Sequence, residues 1–204
     1  VGRNIDDVQL RLKTLFSDDS SVEFAPIIYQ KHDSAAGTIL AQYPEPDSPL
    51  NHAKIYFVVS TNNNVITTKI PNLSGMSVQQ VLATMEKTPV LFDFTSVDSE
   101  SSSTEATVTS QEKAGESVEE FTRIKAQFTF PAVDEEGQTA YGIFSYKLPD
   151  YPFPVNVTLE SSDSEGNIIK LVDFLHPGNE ITVPYMVSKN SVLTLYVHGE
   201  AVTS

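Results

Sequence analysis

One relation inside the chain limits its fold more than any other: two stretches repeat each other about seventy residues apart. With Gly2 set on Gly75, an offset of 73, Asn4, Ile5, Val8 and Leu12 fall on Ser77, Val78, Val81 and Met85. Asn4 and Ser77 are N-cap residues, whose side-chain oxygens satisfy the free amides of a first turn, and the apolar positions after them share one helical face. Each copy therefore opens on a short amphipathic helix.

An apolar strand follows each helix, SVEFAPIIYQ (21–30) and PVLFDFTSV (89–97). The Ser-rich acidic stretch DSESSSTE (98–105) then reads as a surface loop. GTILAQ (37–42) meets ATVTSQ (106–111) with Gln42 on Gln111, an offset of 69, so the second copy has lost four residues on the way. AKIYFVVS (53–60) and TRIKAQFTF (122–130) close the copies, and the polar TNNNV (61–65) links them. The unit is one helix and three strands, and its period exceeds that of solenoid repeats, which predicts tandem small domains. From residue 131 the helical period ends. YGIFSYKL, VNVTLE, NIIKLVDFL, EITVPYMV and VLTLYVHG are separated by turn signals such as LPDYPFP and HPGN, the pattern of a small all-β sandwich.

Composition removes several functions. The formal charge of −14 repels phosphates and other polyanions, which argues against nucleic acid as a partner. The absence of Cys removes disulfides, thiolate nucleophiles and Cys-based zinc sites together. No run approaches the roughly 18 apolar residues of a membrane helix, and the first residues have neither the basic start nor the apolar core of a signal peptide. His32, His52, His176 and His198 are dispersed, with no G-x-S-x-G, Walker, kinase or H-E-x-x-H motif beside them. Asp6-Asp7, Asp18-Asp19 and Asp134-Glu135-Glu136 are adjacent, whereas calcium loops alternate their ligands around a Gly, so no metal or other cofactor is expected. Asn156-Val157-Thr158 matches a glycosylation triplet short enough to arise by chance. Tyr29, Tyr43 and Tyr56 are candidate binding residues, as aromatic surfaces on which sugar rings or peptides rest.

Ile70, Pro71, Asn72, Leu73 and Gly75 resemble the I/V-P-x-L/V-x-G opening of a PASTA domain. Gly37, Thr38, Gln42 and Pro44 resemble its G-T-V-x-x-Q-x-P turn, with FVVS (57–60) as its closing strand. Asp47 stands where the motif has Gly, and the second copy keeps Gln111 but lacks the proline and the V-V-S ending. The resemblance implies domains at 1–61 (N-terminally truncated), 62–130 (degenerate) and 131–204. The first two are α+β, one helix on a three-stranded sheet, the third is an immunoglobulin-like β-sandwich, and all three form an extended arrangement.

It further implies a location outside a bacterial plasma membrane, facing the cell wall, as part of a single-pass membrane protein whose membrane segment lies outside this chain. The implied parent is a Ser/Thr protein kinase. The implied role is to bind peptidoglycan fragments or the lipid-linked cell-wall precursor and to promote kinase clustering by self-association, with no enzymatic activity in the fragment. Arg3, Arg11 and Arg123 are then the candidate partners of stem-peptide carboxylates. A structural spacer that binds nothing, or the C-terminal tail of a penicillin-binding protein, are the alternative readings.

Overall fold

The computed structural model describes residues 1–16, 23–48, 54–62, 64–97, 105–131 and 137–203, in two compact units, Val1–Ile66 and Thr67–Ser204. Asp18, Asp19, His52, Asn63, most of the Ser-rich loop and Asp134–Glu136 lie outside the described residues.

In the first unit α1 (Ile5–Leu15) starts at Asn4, whose Oδ1 accepts the Asp6 N–H at 2.9 Å. Asp6 and Asp7 in the first turn and Lys13 in the last complement the helix dipole. Four strands follow: β1 (Glu23–Phe24), β2 (Ile28–Gln30), β3 (Ile39–Tyr43) and β4 (Lys54–Ser60). The central β4 runs parallel to β1 and β2 and antiparallel to β3. The sequence suggests one strand over 21–30, but the structure divides it around Pro26, which has no N–H to give the ladder. Ile5, Ile39, Ile55, Phe57 and Val59 form the core, with Val8 and Leu12 of α1 packed on it. Asp47 has φ 66°, the left-handed region that Gly favours and that Asp tolerates through local hydrogen bonding, so the departure from Gly preserves the turn.

The second unit repeats this plan. Its elements are β5 (Thr67–Lys69), α2 (Val78–Met85), β6 (Leu91–Val97), β7 (Thr107–Gln111), β8 (Ser117–Glu119) and β9 (Arg123–Thr129). A capping box between Ser77 and Gln80 starts α2, and the central β9 runs parallel to β6 and antiparallel to β7. The repeat extends to single hydrogen bonds. Gly2 N–H donates to Ile39 O at 2.7 Å and Gly75 N–H to Val108 O at 2.9 Å; Ile39 N–H returns to Arg3 O at 2.9 Å and Val108 N–H to Met76 O at 3.1 Å. Each pairing is followed by a bulge, after Ile39 and after Val108. The β5–β8 pair has no counterpart in the sequence reading, which names no strand over either segment.

Gln111 explains why its motif accompanies the I-P-x-L opening. Its Oε1 accepts the Leu73 N–H at 2.7 Å and its Nε2 donates to Pro71 O at 2.8 Å, which satisfies the backbone of an irregular segment whose Ile70 and Leu73 are buried. The same position in the first copy, Gln42, donates to Pro44 O at 3.3 Å.

Beyond residue 137 the structure departs from the expected immunoglobulin-like sandwich. The strands are β10 (Thr139–Ser162), β11 (Ile168–Ser188), β12 (Val192–Val197) and β13 (Glu200–Thr203), in one antiparallel sheet of order β11-β10-β12-β13. This is a single curled sheet in which β12 pairs with β10 on the side away from β11, not two sheets joined by Greek-key connections. The segments LPDYPFP and HPGN, expected as turns, are instead bends inside two long strands. Register shifts fall between Leu148 and Asp150 and between Asp150 and Val155, where the prolines interrupt the ladder. At the facing bend Gly178 has φ 105°, and a Cβ there would collide with Pro149 O. The curl brings the Tyr146 hydroxyl within 3.4 Å of Val202 O.

The boundary expected at 130/131 lies inside the second unit, and its two sides do not form separate cores. Buried residues from Ile70 to Phe128 and from Leu148 to Val197 belong to one cluster. Phe92, Phe94, Phe128, Phe130 and Tyr141 form a chain of ring contacts across the boundary, with centroids 5.5 to 6.5 Å apart. The Thr182 hydroxyl of β11 joins the two sheets: it accepts the Phe94 N–H and donates to Phe92 O, each at 2.8 Å, along the free edge of β6. Thr182→Val keeps the volume and strands both buried backbone groups. It is expected to lower the unfolding free energy by roughly 2–4 kcal/mol in a denaturant titration, while Thr182→Ser retains most of the stability.

Candidate functional site

Within the first unit the sequence candidates do not form one surface. Arg3 is exposed at the start of α1, where its carbonyl accepts from Ile39, and Arg11 is exposed on α1. Tyr43 and Tyr56 are register partners with ring centroids 6.3 Å apart, but Tyr56 is only 7% exposed. Tyr29 is exposed and pairs with Val59, three residues from Tyr56 along β4. The pleat therefore puts Tyr29 on the opposite sheet face from the Tyr43–Tyr56 pair, and the three tyrosines make no common platform.

Arg123 belongs to the second unit and is held within it. Its guanidinium pairs with Asp93 at 2.5 Å and donates to Glu180 O at 2.9 Å, so it clips β9 and β6 to β11. Nearby Glu86, at the end of α2, accepts the Asp173 N–H of β11 at 3.1 Å.

A half-open groove of about 590 Å³ lies between α2 and the open end of the curled sheet, where the two ends of the long hairpin approach each other. Val78 and Leu82 of α2 and Leu171 and Met186 of β11 line it with apolar surface, and Gln79, Glu86, Ser161, Asp163, Asn167 and Lys170 supply polar groups. The volume falls within the roughly 300–1,000 Å³ of small-ligand clefts, and the mixture of apolar lining and a few polar groups is what such clefts carry. Its charges are engaged internally. Lys170 Nζ lies 3.5 Å from Asp173, whose other oxygen accepts from Asn156, and Asp163 accepts from the Asn167 side chain and backbone, which hold its carboxyl below the usual range. The sequence has no signal for the groove, because its walls come from four segments that only the curl of the sheet brings together.

Among the described residues that line the groove there is no His or Cys. Elsewhere, His32 Nδ1 lies 2.9 Å from Ser34 Oγ in an exposed local turn, in which the same nitrogen accepts the Ser34 N–H at 3.1 Å. Among the described residues no group of three His, Cys, Asp or Glu is placed to hold a metal ion, and no helix is long and apolar enough to cross a membrane.

No family model matches the chain. An uncharacterized protein of Borreliella burgdorferi is 24% identical over 206 residues, covering 99% of this chain and 63% of its own length. The chain thus spans less than two thirds of that relative. Among solved structures, the entire extracellular region of the Ser/Thr kinase PrkC from Staphylococcus aureus aligns at 12% identity, covering 100% of this chain and 96% of that one, with a TM-score of 0.25. The three-PASTA-domain region of a Ser/Thr kinase from the same organism aligns at 14% identity, covering 74% and 68%, also with a TM-score of 0.25. At that score neither likeness decides the fold.

Arg123→Ala is expected to reduce stability by about 1 kcal/mol, since the half-exposed pair with Asp93 is solvent-screened and most of the loss comes from the Glu180 carbonyl. A melting temperature equal to that of the unmodified protein would remove Arg123 from the seam.

Proposed function

We propose that this chain is a non-catalytic, wall-facing module of a bacterial surface protein, and that it binds peptidoglycan fragments or the lipid-linked cell-wall precursor. In the fuller form of this reading the parent is a membrane-anchored Ser/Thr protein kinase, and binding outside favours clustering of kinase domains inside. The observation that carries the proposal is the interlock of Gln111 with Pro71 and Leu73, because it ties together the two motifs on which the resemblance to PASTA domains rests. The second unit also offers a cleft of ligand size, with its charges already paired, against α2.

One observation favours a second reading, a spacer in a protein without a kinase domain. The Borreliella relative has roughly 120 residues beyond the matched span, room for one ordinary domain. A protein-kinase catalytic region, with its motifs from the Gly-rich loop to A-P-E, needs more chain than that.

Titration of the isotope-labelled chain with defined muropeptides separates the two. Binding predicts saturable amide shifts concentrated at Val78–Glu86, Ile169–Leu171 and Met186–Ser188, with no turnover of the added compound. An unchanged spectrum at millimolar muropeptide supports the spacer.

A further inference from the structure

The bend of β11 at His176-Pro177-Gly178 holds a buried imidazole beside the seam between the two sheets. His176 is 3% exposed, and its Nδ1 accepts the Gly178 N–H at 3.1 Å. The ring stands edge-on to Phe174, with centroids 6.0 Å apart. An imidazole that accepts at Nδ1 is neutral and carries its proton on Nε2. Protonation puts a hydrogen on Nδ1, directed at the Gly178 N–H, and so converts the bond that closes the bend into a repulsion. Gly178 sits so close to the facing bend that a Cβ there would collide with Pro149 O.

One of the charged groups near the bend, Arg123, opposes the same proton. From β9 comes Arg123, which binds Asp93 on β6 and Glu180 O on β11. Asp150 of β10 is the register partner of Gly178, and Glu180 follows the bend on β11 itself. Of these, Arg123 is the group whose charge acts on the imidazole. Burial first and Arg123 second pull the His176 pKa down from 6.5 to about 4. A second cation beside Arg123 acts against the guanidinium that clips β6 and β9 to β11.

We propose that His176 makes the seam between β6 and β11 an acid-sensitive clasp: taking up a proton, it unlatches the His176–Gly178 bend and releases the Arg123 and Thr182 contacts in a local opening that leaves the β10–β12 ladder paired. The sign follows from linkage. In the opened seam His176 is solvated and titrates near 6.5, whereas in the closed seam it titrates near 4, so the open form binds more protons between these values and gains population as the pH falls. Opening rises by about tenfold per pH unit from about pH 6 to about pH 4.5, and levels off below about pH 4. Above about pH 6.5 the clasp is indifferent to pH.

Native-state hydrogen exchange on the whole chain, corrected for intrinsic rates at each pH, tests this. Expected is a loss of protection at Phe94, Gly178 and Asp173 that follows the tenfold-per-unit slope, while Leu159 and Leu195 in the β10–β12 ladder keep theirs. His176→Asn, which places an acceptor near Nδ1 but does not titrate, is expected to abolish the slope. Should that variant fold poorly, the imidazole resonances of the unmodified chain provide the second measurement. A His176 midpoint at about 6.5, a flat exchange profile at the seam, or equal loss of protection across the whole unit would each overturn the proposal.

Discussion

The hydroxyl of Thr182 is one atom through which two sheets meet. A free strand edge carries alternating donors and acceptors that need partners once buried, and β6 offers such an edge at Phe92 and Phe94. A continuing strand would satisfy it by extending the sheet. Thr182 satisfies it with a single oxygen that both accepts and donates, so the sheets abut without merging. The remaining seam contacts have the same character. Arg123 takes the Glu180 carbonyl and Glu86 takes the Asp173 amide, both on the outer edge of β11. Side chains thus cover the facing edges of both sheets, which removes two templates for unwanted strand pairing.

With the edges closed, apolar packing can run through the join. The ring contacts from Phe92 to Tyr141 and the cluster that spans Ile70 to Val197 make the second unit cohere, and burial of a ring as complete as that of Phe128 contributes about 2–3 kcal/mol. The groove is a consequence of the same join. α2 packs against β11 through Leu82 and its neighbours, and where the curled sheet turns away from the helix it leaves the space that Met186 and Leu171 line.

The two helices and several of the strands are legible in the residues. The helix caps Asn4 and Ser77, the apolar face after each, and the offsets of 73 and 69 predict elements whose equivalent hydrogen bonds the structure repeats. These signals are local, set by periodicity and by capping within a few residues. The reading fails where local signals are ambiguous. Proline-rich LPDYPFP is as consistent with a turn between strands as with a bend inside one, and the bend depends on the facing Gly178, where any Cβ would collide with Pro149 O. Arg123 is likewise legible as a surface cation, while its partners lie 30 and 57 residues away in the chain.

The sequence by itself determined the two helices and the repeat, because each depends on residue type at short or repeated spacing. Tertiary structure alone decided that residues 67–204 form one unit, that the last strands curl as a single sheet, and that a groove opens beside α2. The reason is physical. Periodicity reports which face of an element is apolar, but not which other face will cover it. That choice depends on long-range fit, here between a strand edge at Phe92–Phe94 and one threonine 88 residues further on.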